Sequence, residues 1–135
     1  MKKLLLLVLL PLMLVKFASC TQAEKGNTRE TTDYLNISAQ EAKKIMDSET
    51  GYVILDVRTE EEFAEGHIPG AILIPDYEIE SKAEQILTDK NQLILVYCRS
   101  GRRSKNASAA LVSLGYTNIR EFGGIIDWPY ETVSD

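Results

Sequence analysis

Short apolar runs alternate with amphipathic segments along most of this chain. Each run is continuous rather than alternating, which is typical of a strand that is buried on both faces of a parallel sheet. Strands separated by helices in this way predict an α/β domain with a mostly parallel sheet that helices cover on both faces. The predicted strands cover residues 52–57, 71–74, 93–97 and 118–122.

The segments between these runs have the apolar spacing of helices. Two of them begin with a capping box, Ser38–Glu41 and Thr59–Glu62, in which the side chains satisfy the free amides of a helix start. Gly115 is suited to end the helix before the last strand. The predicted helices cover residues 38–49, 59–66, 77–88 and 104–115, and a short helix or turn follows Gly123 and Gly124, which favour a tight turn with positive φ.

The first residues differ in character from the rest of the chain. Lys2 and Lys3 precede the apolar run Leu4–Val15, which is too short to cross about 30 Å of hydrocarbon as a helix. This pattern predicts an export signal over residues 1–19. The following Phe17-Ala18-Ser19-Cys20 resembles a bacterial lipoprotein signal, and the resemblance implies lipidation of Cys20.

The predicted organisation is therefore a signal peptide (1–19), a lipidated cysteine with a polar, flexible tether (20–32) and a single domain (33–135). A lipid anchor would hold the exported protein to a membrane, on the periplasmic or cell-surface side. Ordinary cleaved export and an uncleaved N-terminal anchor remain open as alternatives.

The charge balance argues against a nucleic-acid partner. Loss of residues 1–19 would remove three lysines and no acid, leaving 12 basic and 20 acidic residues and a net charge of −8. Phosphate backbones bind to net basic surfaces. With Cys20 committed to lipid, Cys98 is the one remaining thiol, although a Cys20–Cys98 disulfide is a second possibility.

The chemistry of the chain concentrates in the loop CRSGRRS, residues 98–104, between the strand 93–97 and the next helix. Loop amides and the helix start would form a concave array of N–H donors, which attracts anions and favours the thiolate form of Cys98. Such a thiolate can attack a bound anion or carry a second sulfur without a general base. The alternative is a buried, inert cysteine beside solvated arginines. The local cations are Arg99, Arg102, Arg103 and Lys105.

Three stretches of the sequence resemble the rhodanese family. They are ILDVRTEEEFAEGHIPGAILIP (54–75), VYCRSGRRS (96–104) and EFGGIIDW (121–128). The resemblance implies a three-layer α/β/α domain with about five strands. It also implies a sulfurtransferase that takes sulfane sulfur from thiosulfate or a similar small anionic donor and passes it to cyanide or a thiol.

The resemblance implies that Cys98 is the nucleophile and persulfide carrier. It implies neither a cofactor nor a metal. Arg58 follows a strand at the same sheet edge and either binds substrate or forms a structural pair with Asp56. His67 is better explained as a loop hydrogen-bonding residue than as a ligand. The predicted substrate-binding residues are Arg99, Ser100, Gly101, Arg102, Arg103 and Arg58.

Two other functions fit the same loop. A persulfide carrier or binding module would use Cys98 to hand sulfur to a partner without efficient turnover. A phosphatase or arsenate reductase is disfavoured, because related dual-specificity phosphatases carry a loop one residue longer that ends in arginine. Here that position is Ser104, and Arg103 falls one residue earlier.

Overall fold

The computed structural model describes residues 33–135, which fold around one five-stranded parallel sheet. The strands are β1 (Leu35–Asn36), β2 (Val53–Asp56), β3 (Ile72–Leu73), β4 (Ile94–Cys98) and β5 (Ile119–Gly124). The helices are α1 (Ala39–Ser48), α2 (Glu60–Glu65), α3 (Ile79–Ile86) and α4 (Arg102–Ser113), with short 3-10 helices at Asp76–Glu78 and Ile125–Asp127. The strand order is β1-β5-β4-β2-β3, and every neighbouring pair is parallel.

The sheet separates two apolar cores, one on each face. Successive residues of β4 alternate between them: Ile94 and Val96 pack with α3 and α4, whereas Leu95 and Tyr97 pack with α1 and Trp128. Both faces are therefore covered. This arrangement confirms the predicted three-layer α/β/α architecture.

The capping boxes and the four predicted strands are present, with boundaries that differ by one or two residues. Sequence patterning missed β1, because a two-residue edge strand with Leu35 60% exposed carries no buried run. The predicted helix 77–88 is a 3-10 turn followed by α3. The helix predicted to start at Ser104 begins at Arg102.

The predicted signal peptide, the lipidated Cys20 and the tether all lie outside the described residues. Within residues 33–135, no helix combines the length and the apolar character that membrane crossing requires.

The topology places Cys98 in the middle of the sheet, at its carboxyl edge. β4 lies between β2 and β5, and Cys98 is its last residue. The register between β4 and β5 shifts after Val96, so that Cys98 lies opposite Gly124. Ligand sites of open parallel sheets lie outside the carboxyl ends of the strands.

Candidate active site

A tight turn after β4 wraps the backbone around the sulfur atom of Cys98. Gly101 has a φ of +108°, a conformation that residues with a side chain rarely adopt. In this conformation the Gly101 N–H donates a hydrogen bond to Cys98 Sγ at 3.0 Å. α4 begins at the next residue, Arg102, so the partial positive charge of a helix N-terminus lies beside the sulfur.

Cys98 combines features of both interpretations of the sequence. Cys98 is 1% exposed and belongs to the apolar core that contains residues of α3 and α4. Its sulfur nevertheless has two polar neighbours, the Gly101 amide and Ser104 Oγ at 3.3 Å. A hydrogen bond donated to sulfur stabilises the thiolate over the thiol. The geometry therefore suits a nucleophile more than an inert apolar residue.

The rim of the loop presents positive charge to solvent. Arg99, Ser100 and Arg102 are exposed, whereas Gly101 is buried in the turn. Among the ion pairs of residues 33–135, none includes Arg99 or Arg102. Of the arginines predicted to bind substrate, these two are therefore the ones whose charge is available to an anion.

Arg103 instead joins α4 to α2. Its Nη1 and Nη2 donate to the two carboxylate oxygens of Glu62 at 2.7 and 2.8 Å. Glu62 also accepts from the backbone and hydroxyl of Thr59 as part of the capping box. The hydrogen bonds from Arg103 are the main cause that lowers the pKa of Glu62 to about 2, and the same pair raises the pKa of Arg103. Arg103 thus fixes the first turn of α4 in place.

Replacement of Glu62 by glutamine should flatten the acid limb of the stability curve. A carboxyl whose pKa falls from 4.5 in the unfolded chain to about 2 in the fold contributes stability above about pH 4.5. That contribution disappears as the pH falls through about 2. Free energies of unfolding measured between these pH values should change less for Glu62→Gln than for the unchanged protein. The neighbouring exposed Glu61, changed to glutamine, is the matched control; equal slopes for Glu62→Gln and Glu61→Gln would contradict the prediction.

Arg58 lies in a buried ion pair at the end of β2. Its Nε and Nη2 donate to the carboxylate of Asp56 at 2.7–3.1 Å, and Nη2 also donates to the Gly66 carbonyl at 2.6 Å. Arg58 and Asp56 are 5% and 0% exposed. Burial alone would lower the pKa of Arg58, but the hydrogen bonds and charge of Asp56 raise it overall. These contacts favour the structural interpretation of Arg58 over substrate binding.

The loop 98–104, which we call the cysteine loop, packs against the end of β5 at Gly124. A Cβ added at Gly124 would lie 2.0 Å from the Arg99 carbonyl oxygen, 2.3 Å from its carbon and 2.5 Å from the Ser100 nitrogen. The Ile126 N–H donates to the same Arg99 carbonyl at 3.2 Å. The loop backbone at Arg99 and Ser100 therefore packs directly against Gly124, and a side chain at position 124 would prevent this close approach.

Replacement of Gly124 by alanine should displace this loop, because its clashing neighbours are backbone atoms that cannot rotate away. We expect a loss of about 1–3 kcal/mol in the free energy of unfolding, as for other overpacked sites. A displacement of about 1 Å at the sulfur should lower the rate of any reaction in which Cys98 attacks a bound substrate by about 10²-fold. Chemical denaturation measures the first effect, and the rate of thiocyanate formation from thiosulfate and cyanide measures the second.

Gly66 provides the matched control for this substitution. Its φ of 171° is extended backbone, and an added Cβ would meet nothing closer than the Val133 carbonyl at 4.0 Å. Gly66→Ala should leave both quantities nearly unchanged. If Gly124→Ala behaved like Gly66→Ala, the close approach would not shape the loop.

Two buried polar residues beneath the loop were not singled out as functional from the sequence. Ser104 Oγ contacts the sulfur, and Glu121 on β5, 2% exposed, accepts a hydrogen bond from that hydroxyl at 2.6 Å. The sequence signal for Glu121 was an acidic residue in the strand NIREF, which is predicted to lie in a sheet covered on both faces, where a solvated charge is not expected.

His67 has the loop role that its isolation in the sequence predicts. Its Nδ1 is 2.8 Å from the Phe63 carbonyl oxygen, and its ring stacks on Phe63 at 3.7 Å. Its backbone pairs with Val133. Across the described part of the chain, no group of three or more histidine, cysteine or acidic residues is arranged to hold a metal ion.

Comparison with known proteins gives consistent relatives. Residues 38–129 match the family described as Rhodanese-like domain. Thiosulfate sulfurtransferase PspE of Escherichia coli is 38% identical over 73 residues, which are 54% of this chain and 70% of that protein. A sulfurtransferase of Allochromatium vinosum is 36% identical over 88 residues, or 64% and 79% of the two chains.

A solved structure shares the fold. The structure titled rhodanese with anions from E. coli is 34% identical, with a TM-score of 0.59, and covers 62% of this chain and 99% of its own. The family match over residues 38–129 includes the strand, loop and helix that surround Cys98. The chain therefore belongs to the rhodanese-like domain family.

Proposed function

We propose that this protein is a sulfurtransferase that moves sulfane sulfur from thiosulfate, or a similar small anionic donor, to cyanide or a thiol through a persulfide on Cys98. The observation that carries the proposal is the 3.0 Å hydrogen bond from the Gly101 amide to Cys98 Sγ, inside a loop that begins a helix. This contact places a hydrogen-bond donor on the sulfur, in a loop that also carries the exposed Arg99 and Arg102, and such surroundings favour a thiolate.

The first half of the reaction loads the cysteine. The Cys98 thiolate attacks the outer sulfur of thiosulfate, and the sulfur–sulfur bond of the donor breaks. Sulfite leaves with the bonding electron pair, and a persulfide anion remains on Cys98. Arg99 and Arg102 offset the repulsion between a doubly charged donor and an acidic protein, because neither forms an ion pair with another residue in the described part of the chain.

The second half returns the enzyme to its starting state. Cyanide or a thiolate attacks the outer sulfur of the persulfide, and the Cys98 thiolate leaves. The Gly101 amide and the start of α4 stabilise the negative charge on sulfur in both forms, since they supply a hydrogen bond and partial positive charge. No step needs an oxidant, a metal or a proton from a general acid.

Thiocyanate formation from thiosulfate and cyanide, measured on the full chain, tests this proposal. Catalytic turnover that saturates with thiosulfate supports the sulfurtransferase. Slow turnover together with a persulfide that survives isolation would favour a sulfur carrier that serves a protein partner. Failure to form thiocyanate or a persulfide with thiosulfate, mercaptopyruvate and a polysulfide would contradict both.

We also propose that the protein is exported and held to a membrane by lipid on Cys20. The proposal rests on the sequence of residues 1–20 alone. Metabolic labelling with a radioactive fatty acid tests it, with Cys20→Ser as the variant that should lose the label. Equal labelling of both chains would contradict it.

A further inference from the structure

A buried carboxylate lies directly beneath the cysteine loop. Glu121 is 2% exposed, and its Oε1 accepts hydrogen bonds from Ser104 Oγ at 2.6 Å and from the Gly123 N–H at 2.8 Å. Among the ion pairs formed by residues 33–135, none includes Glu121. The two hydrogen-bond donors to Glu121 Oε1 are therefore a neutral hydroxyl and a neutral amide, not a cation.

Ser104 links this carboxylate to the sulfur. It is 0% exposed, and its Oγ lies 3.3 Å from Cys98 Sγ. A hydroxyl has one proton and two lone pairs, so it can accept from a thiol while it donates to a carboxylate. The carbonyls of Gly101 and Gly123 lie 2.9 and 3.3 Å from the same oxygen, and the contact with Glu121 is the shortest. A continuous path therefore joins sulfur to carboxylate without water.

We propose that Glu121 is a positioning residue that takes up the proton of Cys98 through Ser104 when the thiolate forms. The S–H bond breaks as an O–H bond forms on Ser104, and the original Ser104 O–H bond breaks as one forms on Glu121. No electrons are transferred. The network carries one negative charge throughout, on the carboxylate before the step and on the sulfur after it. The inference deepens the proposed function, because it concerns the nucleophile of that reaction.

The surroundings favour one shared charge over two. Two anions joined through a single hydroxyl in a buried site repel each other, so ionisation of both is disfavoured. Burial raises the pKa of Tyr34, which precedes β1, and the charge of Glu121 adds to this effect. Arg103 lies on the sulfur side: Glu62 is the main cause of its raised pKa, and the charge of Cys98 adds to it. The start of α4 also lies on the sulfur side, and its partial positive charge favours negative charge on Cys98.

This exchange has a consequence that a purely structural glutamate would lack. When the proton moves within the network, the fraction of thiolate does not depend on the pH of the solvent. The rate at which iodoacetamide alkylates Cys98 should therefore form a plateau, varying less than about threefold over a pH unit near neutrality. Protonation of the whole pair occurs in a separate step at lower pH.

Replacement of Glu121 by glutamine tests the proposal on the full chain. The amide has the shape of the acid and still accepts from Ser104, but it cannot take a proton. The intermediate plateau should be replaced by a single titration step, in which the alkylation rate falls by about tenfold per pH unit below one midpoint and is constant above it. Glu61→Gln, an exposed change of the same charge, should keep the plateau. Profiles of the same shape for Glu121→Gln and the unchanged protein would overturn the proposal.

Infrared difference spectra of the unchanged protein give a second test that does not depend on any variant folding. On the plateau, alkylation of Cys98 should remove a carboxylic-acid C=O band, because Glu121 loses its proton once the sulfur can no longer carry charge. No loss of such a band would overturn the inference. Neither measurement uses a sulfur donor, so a protein that showed the plateau but no persulfide would refute the proposed function and leave the proton exchange standing.

Discussion

Replacement of Cys98 by serine should lower the rate of thiocyanate formation by on the order of 10⁴-fold, as removal of a nucleophile does in other enzymes. A serine hydroxyl needs a neighbouring base to become nucleophilic. His67 is the one histidine of the chain, and its Nδ1 contacts the Phe63 carbonyl rather than the loop. Serine would be held in the loop, but its oxygen cannot form the persulfide on which both halves of the proposed reaction depend. The rate of thiocyanate formation from thiosulfate and cyanide measures the effect.

The fold should survive this change. Serine is slightly smaller than cysteine, and the Gly101 amide and Ser104 hydroxyl remain as hydrogen-bonding partners. Thermal unfolding of Cys98→Ser close to that of the unchanged protein would show that lost activity is chemical. Activity within about tenfold of the unchanged protein would mean that another group carries the sulfur.

Replacement of Asp56 by alanine should cost about 3–5 kcal/mol of the free energy of unfolding, because it leaves the guanidinium of Arg58 buried without its counter-ion. Asp56 is fully buried and also accepts from the backbone N–H of Arg58 at 2.9 Å. Within residues 33–135, the Arg58 side chain of this variant would keep one hydrogen-bond acceptor, the Gly66 carbonyl. Urea denaturation measures the loss.

The double variant Asp56→Leu/Arg58→Met is the matched control. Removal of both charges with apolar replacements should recover a large part of the stability that Asp56→Ala loses.

Arg58→Met alone should affect stability more than the Michaelis constant for thiosulfate. A loss below about 1 kcal/mol for Asp56→Ala, or a raised Michaelis constant for Arg58→Met with unchanged stability, would instead support the substrate-binding interpretation.

The parts of this fold that depend on neighbouring residues could be predicted from the sequence. Both capping boxes form, because serine or threonine and glutamate three residues apart satisfy each other's amides whatever lies elsewhere. The central strand β4 was equally clear, since all five of its residues are buried. Placement of Cys98 at the carboxyl edge of the sheet followed from that strand alone.

The parts that depend on distant contacts could not be predicted. Arg103 has the same local sequence character as Arg102, yet it pairs with Glu62, which lies 41 residues away. The early start of α4 depends on the positive φ of Gly101 and on the packing of that turn against Gly123. The sequence marks Glu121 as an acidic residue in a predicted strand, but its hydrogen bond with Ser104 becomes visible only when β5 lies beside the loop. Residues with the same local sequence character, such as Arg102 and Arg103, therefore differ in role because they have different tertiary partners.

The intact mass of the full chain after incubation with thiosulfate tests the central claim most directly. The account predicts a gain of about 32 Da, the mass of one sulfur atom, which cyanide then removes and which Cys98→Ser does not acquire. An unchanged mass with thiosulfate, mercaptopyruvate and a polysulfide, or a gain that persists in Cys98→Ser, would contradict it.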